Sequence, residues 1–296
     1  MSTLVTQPAA APRPEAAELP PVDLAPLRRR RRRRALLQLA CIAVTFFMGF
    51  PIYLITLAAF SSRRTLNEFP KSLLPKEIST DTMSAFLSST GVVPAFLNSI
   101  VIGLGTLVLA LLVGAPAGYA IARYFFRGRD PYQLFLLLTR ALPIVVLAVP
   151  LSQLFLTAGI YDTVPAVVLV HAALSLPTTI LITASVFIAV PRDVEEAAQL
   201  FGCTRLAAFR RVVLPLALPG VAASAIFTFV LSWNEVLAAA VLTLNNRTLP
   251  AQVLVSLSDS PIAYRFAGGF ALVVPALLFI LLMRRYLLNM WGSTLR

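Results

Sequence analysis

Charge is scarce in this sequence. Of its 296 residues 13% are Asp, Glu, Lys or Arg and 58% are hydrophobic, whereas a soluble domain carries about 25% charged residues. That shortage excludes a soluble fold, because one water-facing body could not enclose so much apolar surface. Acidic residues number 13 and histidine occurs once. The two cysteines, Cys41 and Cys203, lie far apart, one in an apolar run and one in a polar segment. They support neither a disulfide framework nor a metal cluster. No Gly-x-x-x-x-Gly-Lys-Ser/Thr phosphate loop occurs, so ATP would have to be bound elsewhere. No catalytic constellation is present either.

Long apolar stretches are what the sequence has instead, with a mean hydropathy of +0.83. Six segments, near 35–60, 93–122, 133–158, 164–190, 214–240 and 265–285, reach the roughly 20 residues needed to cross a bilayer as helix. Helices satisfy their own backbone hydrogen bonds, as hydrocarbon demands, so the expected fold is all-α and polytopic. Pro51, Pro94, Pro116, Pro143, Pro150, Pro219 and Pro275 interrupt these segments. Such breaks are tolerated where neighbouring helices shield them, which points to a packed bundle rather than separate anchors. Gly103, Gly105, Gly114 and Gly118 in the second segment permit close helix approach.

Arginine placement orients the bundle. With the N-terminus inside, 19 basic residues fall on the inner side, among them Arg28–Arg34, Arg123, Arg140, Arg192 and Arg205, and six on the outer side. This is a positive-inside bias, and it places both termini and the 191–213 segment in the cytoplasm. It also explains the net charge of +12 without nucleic acid. Residues 1–34 read as a disordered basic cytoplasmic tail whose arginine run contacts anionic lipid. The first apolar segment reads as a retained anchor, residues 35–290 as the membrane domain, and 291–296 as a second cytoplasmic tail. Residues 61–92 and 241–264 form the outer loops; in the latter, 251–257 is apolar enough to dip toward the membrane.

The segment from Pro191 to Gly220 is a polar island between two spans. Pro191 suits the start of a short helix, and Asp193, Glu195 and Glu196 favour its N-terminal dipole. Ala197, Leu200 and Phe201 give it an apolar surface. Gly202 can end it in a left-handed conformation, and Thr204 can cap a second helix bearing Arg205, Arg210 and Arg211. Leu214-Pro215 would then redirect the chain into the fifth span. Two short helices around a glycine turn make a knob suited to a concave partner surface.

Inside the island, Glu196-Ala197-Ala198 is followed at set spacing by Gly202, Val212 and Leu214-Pro215. This pattern resembles the EAA loop of bacterial ABC importer permeases. Further matches run in order along residues 40–290: Phe96-Leu97-Asn98-Ser99, Gly118 to Arg123, Leu142-Pro143, Leu176-Pro177, Trp233-Asn234-Glu235 and Thr248-Leu249-Pro250. Together they resemble the six-span carbohydrate permeases of the maltose transporter class. Departures are Phe201 before the glycine, where many relatives carry aspartate, Cys203 after it, and the tail following Tyr286.

The resemblance implies a type I ABC importer permease in the bacterial inner membrane, importing a sugar or polyol. It implies two ATPase subunits that bind ATP and Mg, a second permease completing a heterodimer, and an extracytoplasmic solute-binding protein. Coupling to the ATPase would fall to Glu195, Glu196, Ala197, Ala198, Phe201, Gly202, Arg205, Leu214 and Pro215. Asn98, Tyr119, Asn234 and Glu235 are candidates for the translocation path or gate. His171 is expected to make an internal hydrogen bond, because no membrane acid accompanies it in a proton relay. An ion-driven secondary transporter would need that acid, and a membrane scaffold would not need the island.

Overall fold

The computed structural model describes residues 25–256 and 260–292. All regular structure among them is helical. The chain divides into two compact units, residues 1–50 and 51–296. Helix α1 (Ala25–Ala59) begins in the first, where residues 33–50 are exposed along their length, as a lipid-facing helix would be. The Arg28–Arg34 run, expected in a disordered tail, forms the early turns of α1; arginine is a good helix former and extends the apolar helix that follows. The rest of that tail, residues 1–24, and residues 293–296 of the other lie outside the described residues.

The second unit begins with two short helices, α2 (Arg63–Asn67) and α3 (Asp81–Leu87), in the expected outer loop. The long helices α4 (Val92–Arg123) and α7 (Val164–Ala189) flank α5 (Arg129–Thr139) and α6 (Ile144–Thr157). Then come α8 (Arg192–Leu200), α9 (Arg205–Ala208), α10 (Leu214–Asn234), α11 (Leu237–Leu242), α12 (Leu249–Ser256) and α13 (Ile262–Gly292). Five helical stretches are long and apolar enough to cross a membrane, or six if α5 and α6 count as one bent span.

The centre of the unit is the packing of α4 on α7, with α10 against both. Without a hydrophobic driving force in lipid, such contacts depend on close approach and polar bridges, and both are present. A methyl group on Gly118 would lie 2.7 Å from the Ala184 backbone nitrogen and 3.0 Å from the Ile180 carbonyl. Hydroxyls bridge the same seam. Thr183 donates to the Gly114 carbonyl at 3.1 Å, and Thr179 and Thr228 meet at 2.8 Å. His171 Nδ1 and Ser232 Oγ are 2.9 Å apart, the helix-to-helix bond expected of that histidine. Because backbone cannot rotate away as a side chain can, Gly118→Ala should force α4 off α7, at an overpacking cost of about 1–3 kcal/mol. Thermal unfolding in detergent should show a lowered midpoint for Gly118→Ala and no change for Gly128→Ala, whose added methyl would touch only the Phe126 ring at 3.8 Å. Equal midpoints would contradict the close contact.

Four sequence expectations change. The third span, expected as one helix over 133–158, is two helices at 90°. Pro143 is extended at the start of α6 (ψ 129°), and a proline disfavours helix in the residue before it. The fifth span, expected to reach 240, stops at Asn234, where Glu235 turns extended and one of its oxygens accepts from Ala238 N–H in α11 at 3.0 Å. Leu214-Pro215 does not redirect the chain: 205–234 is one continuous helical stretch. It passes through a π-turn, Phe209–Val213, in which Leu214 N–H reaches back to the Phe209 carbonyl. A proline ring clashes with the carbonyl four residues earlier, and the wider turn relieves that clash for Pro215. Finally, Arg140, counted with the inner basic residues, lines a cavity with Pro177 and Thr178. Those two lie at the middle of α7, so Arg140 is level with the middle of that helix rather than with its ends.

Candidate functional site

The polar island forms a knob built as its residues suggest. α8 starts after Pro191 with Asp193 and Glu195 in its first turn. It ends in a paired C-terminal cap: Gly202 N–H donates to the Gln199 carbonyl and Cys203 N–H to that of Ala198, each at 3.0 Å. That cap requires a left-handed residue, and Gly202 has φ +90°. Thr204 then caps α9, its Oγ1 accepting from Ala207 N–H at 3.2 Å. Leu200 and Phe201 protrude at the tip, 88% and 90% exposed. Glu196, Ala197 and Arg205 are exposed as well, and Ala198 is half-buried.

Glu195 points the other way. Adjacent helical residues are about 100° apart, so Glu195 is buried where Glu196 faces out. One carboxylate oxygen accepts from the Tyr119 hydroxyl, the other from Arg123 Nε–H at 2.8 Å. The arginine and glutamate side chains are 7% and 10% exposed. Arg123 also donates to the Val190 carbonyl at 3.0 Å, and Arg192 to that of Ala122 at 3.2 Å. Arg192 and Arg129 both lie over the Phe125 ring. Beside the ion pair, Tyr119, Phe187 and Phe209 pack as an aromatic trio with centroids 4.6–5.8 Å apart. The knob is thus braced twice, by Glu195 to the end of α4 and by Phe209 to α4 and α7. A polar cleft of 220 Å³ opens beside the brace, lined also by Arg192, Glu196, Gln199 and Arg205.

Tyr119, grouped by sequence with gate candidates, therefore sits with the knob. Arg123 had been given only a topological part. The signal for both was their spacing: four residues apart, they share one face of α4. Asn98 lies elsewhere, its amide donating to the Arg247 carbonyl at 3.3 Å. Its neighbour Ser99 accepts from Leu249 N–H at 2.7 Å, so the pair pins the start of α12. Asn234 donates to the Val230 carbonyl within its own helix at 2.8 Å and lines a small cavity with Glu235. Leu214 is half-buried and Pro215 exposed at the π-turn.

A second anchor, not foreseen, joins the α6–α7 turn to the α11–α12 turn. Asp162 accepts from the backbone N–H groups of Leu244, Asn245 and Asn246 at 2.8–3.0 Å and from the Asn245 side chain at 2.9 Å. Burial pulls this carboxyl upward, but those donors outweigh it and hold it below the usual carboxylate range. A lowered folded value means stability that is full above the unfolded value, about 3.9, and lost as pH falls through the folded one. Asp162→Asn should therefore lower the unfolding midpoint at pH 7, and its gap to the native chain should close on acidification below about pH 4. A gap independent of pH would remove the carboxylate from the anchor.

Residues 110–288 match the family described as binding-protein-dependent transport system inner membrane component. The chain is 33% identical over 219 residues to the trehalose transport system permease protein SugB of Mycobacterium tuberculosis, covering 72% of this chain and 80% of that protein. It is 33% identical over 187 residues to the diacetylchitobiose uptake system permease protein NgcG of Streptomyces coelicolor, covering 63% and 62%. Among solved structures, a bacterial ABC transporter that imports the acidic polysaccharide alginate superposes with a TM-score of 0.70 at 19% identity, over 87% of this chain and 98% of that one.

Proposed function

Because the chain belongs to the family of binding-protein-dependent transport system inner membrane components, we propose that it is a permease subunit of an ATP-driven ABC importer for a sugar or polyol. The carbohydrate class is supported by relatives named for trehalose and diacetylchitobiose uptake. The knob, whose apolar tip is bare while its root is braced, is the observation that carries the mechanism. It docks into a cleft of a separate ATPase subunit. Closure of two such ATPases on ATP moves the knob, and the Glu195–Arg123 brace passes that motion to α4. The permease then opens outward to receive solute from an extracytoplasmic binding protein. A second permease subunit completes the pathway.

In this reading the fold is a type I permease of six spans, with α5 and α6 forming one bent span. Both termini and the knob are cytoplasmic; after removal of Arg140, 18 basic residues remain inside against six outside. In a Cys-free background, Thr65→Cys should react with a membrane-impermeant thiol reagent in intact cells and Thr204→Cys should not. The reverse pattern would invert the topology. The function is tested by reconstituting the complex in vesicles with ATP on the knob side and measuring uptake of radiolabelled trehalose, diacetylchitobiose and glycerol derivatives. ATP-dependent uptake that needs the binding protein is expected. Uptake without ATPase subunits would reject the ABC mechanism, and uptake confined to amino acids or ions would reject the substrate class.

A further inference from the structure

Between α2 and α3 the chain carries apolar side chains that the described residues leave uncovered. Phe69 is 92% exposed, Ile78 78% and Leu74 72%. Exposed apolar surface of this kind marks contact with a partner or a membrane, and the path of the loop decides between them. The loop does not rise away from the bundle. Tyr53, exposed on α1, donates its hydroxyl to the Leu73 carbonyl at 2.6 Å. Ser79 N–H then donates to the Phe60 carbonyl at 2.9 Å, just past the end of α1 at Ala59. Tyr53 lies about 9 Å back from that end along the axis, at a rise of 1.5 Å per residue. The loop therefore folds down beside α1, reaches its deepest point near Leu73, and returns to the helix end by Ser79.

That depth has a meaning in a bilayer. A helix crosses the hydrocarbon in roughly 20 residues. Counted from Ala35, which follows the arginine run, they end near Ile55. Tyr53 thus stands at the far boundary of the hydrocarbon, where tyrosine is enriched, and Leu73 and Leu74 reach the same level. A soluble partner would need these side chains raised clear of the headgroups. Basic residues are interleaved with them: Arg64, Lys71 and Lys76 are exposed, and Arg63 lies over the Tyr264 ring. Two acids answer the four cations. Glu68 pairs with Lys76 at 2.7 Å, and Glu77 accepts from Ser62 at 3.4 Å, so the loop keeps an excess of positive charge. Apolar and basic side chains mixed in this way characterise segments that lie in the membrane interface, where long basic stems cover apolar surface and their charges reach outward. We propose that residues 69–78 insert into the phospholipid interface beside α1, with Phe69, Leu74 and Ile78 at the acyl boundary and Arg64 and Lys71 on lipid phosphates. The loop thereby anchors this end of α1. The proposal rests on α1 spanning the bilayer and not on the importer reading.

The test uses the full Cys-free chain, purified with its partner subunits and reconstituted in vesicles of phosphatidylethanolamine and phosphatidylglycerol. Leu74→Cys carrying an environment-sensitive fluorophore should be quenched by lipid spin-labelled near the headgroup end of the acyl chain, and less by lipid labelled near the chain's methyl end. Thr65→Cys, in α2 past the end of α1, should be quenched by neither. Without the fluorophore, Leu74→Cys should react with a membrane-impermeant thiol reagent about tenfold more slowly than Thr65→Cys, as burial of much of one apolar side chain implies. Reversing charge with Arg64→Glu and Lys71→Glu together should weaken the quenching at position 74, whereas Arg64→Lys with Lys71→Arg should preserve it. No quenching at Leu74→Cys, or a reaction as fast as that of Thr65→Cys, would overturn the insertion. Quenching untouched by charge reversal would overturn the phosphate contact. Quenching that disappears when an extracytoplasmic binding protein is added would assign the surface to a protein partner and equally overturn the proposal.

Discussion

Arg123→Ala should abolish ATP-coupled uptake while the chain still inserts in the membrane. The alanine leaves the Glu195 carboxylate buried with the Tyr119 hydroxyl as its remaining partner, and removing one member of a buried pair costs about 3–5 kcal/mol. Glu195 cannot stay buried uncompensated, so α8 should rotate to bring it to water. The knob would then keep its helices and lose its attachment to α4. ATP hydrolysis should continue in the assembled complex, because the exposed tip that meets the ATPase is untouched. Uptake per ATP should fall by two orders of magnitude or more, as about 3 kcal/mol corresponds to. Glu195→Gln is the milder companion: it keeps the Tyr119 and Arg123 partners but weakens a charge-assisted bond to a neutral one, and should retain part of the uptake. Arg123→Ala with native uptake per ATP would show that the brace carries no motion. A double change, Glu195→Met with Arg123→Met, should recover thermal stability, since well-packed apolar replacements of buried pairs are often neutral or stabilising. Recovered stability with uptake still lost would assign the pair to transmission rather than to folding.

The legible parts of this protein are those whose cause is local. Gly202 ends α8 because its backbone must be left-handed, and Thr204 starts α9 because a hydroxyl there meets a free N–H; both follow from single residues and their neighbours. Apolar length marked the spans for the same reason. What stayed hidden depends on partners distant in sequence. Glu195 and Glu196 are chemically identical, and only the position of Arg123, 72 residues earlier, decides which one is buried. The hold of Asp162 on residues 244–246 spans more than 80 positions and leaves no periodic trace. Proline was read correctly as a break but not in kind. Pro143 splits a span at 90°, whereas Pro215 is absorbed by a π-turn without diverting the helix, a choice made by packing around Phe209 and Val213. Arg140 was misplaced for a related reason: charge counting assumes that a loop lies beyond the helix ends, and here the loop is the exposed corner of a bent span, level with the middle of α7.

Leu200→Asp should abolish co-purification of the ATPase subunit without lowering the stability of the permease itself. Phe201 is 90% exposed and Leu200 88%, so neither side chain holds the knob together. Water-exposed apolar surface at the tip of a rigid turn is instead surface available to a partner. Burying one such side chain contributes about 1.5–3 kcal/mol to an interface, and a carboxylate placed there must also be desolvated against an apolar wall. The two effects add, so affinity should fall by at least two orders of magnitude, each tenfold step being about 1.4 kcal/mol. Gly202→Pro separates the tip from the turn that presents it. Proline fixes φ near −65°, which cannot satisfy a backbone at +90°, and it removes the N–H that Gly202 donates to Gln199. That variant should lose both the ATPase subunit and the local cap, seen as faster amide exchange at Cys203, whereas Leu200→Asp should lose the ATPase and keep native protection there. If Leu200→Asp binds the ATPase as the native chain does, the tip is not the docking surface, and the cleft lined by Glu196, Gln199 and Arg205 becomes the face to examine.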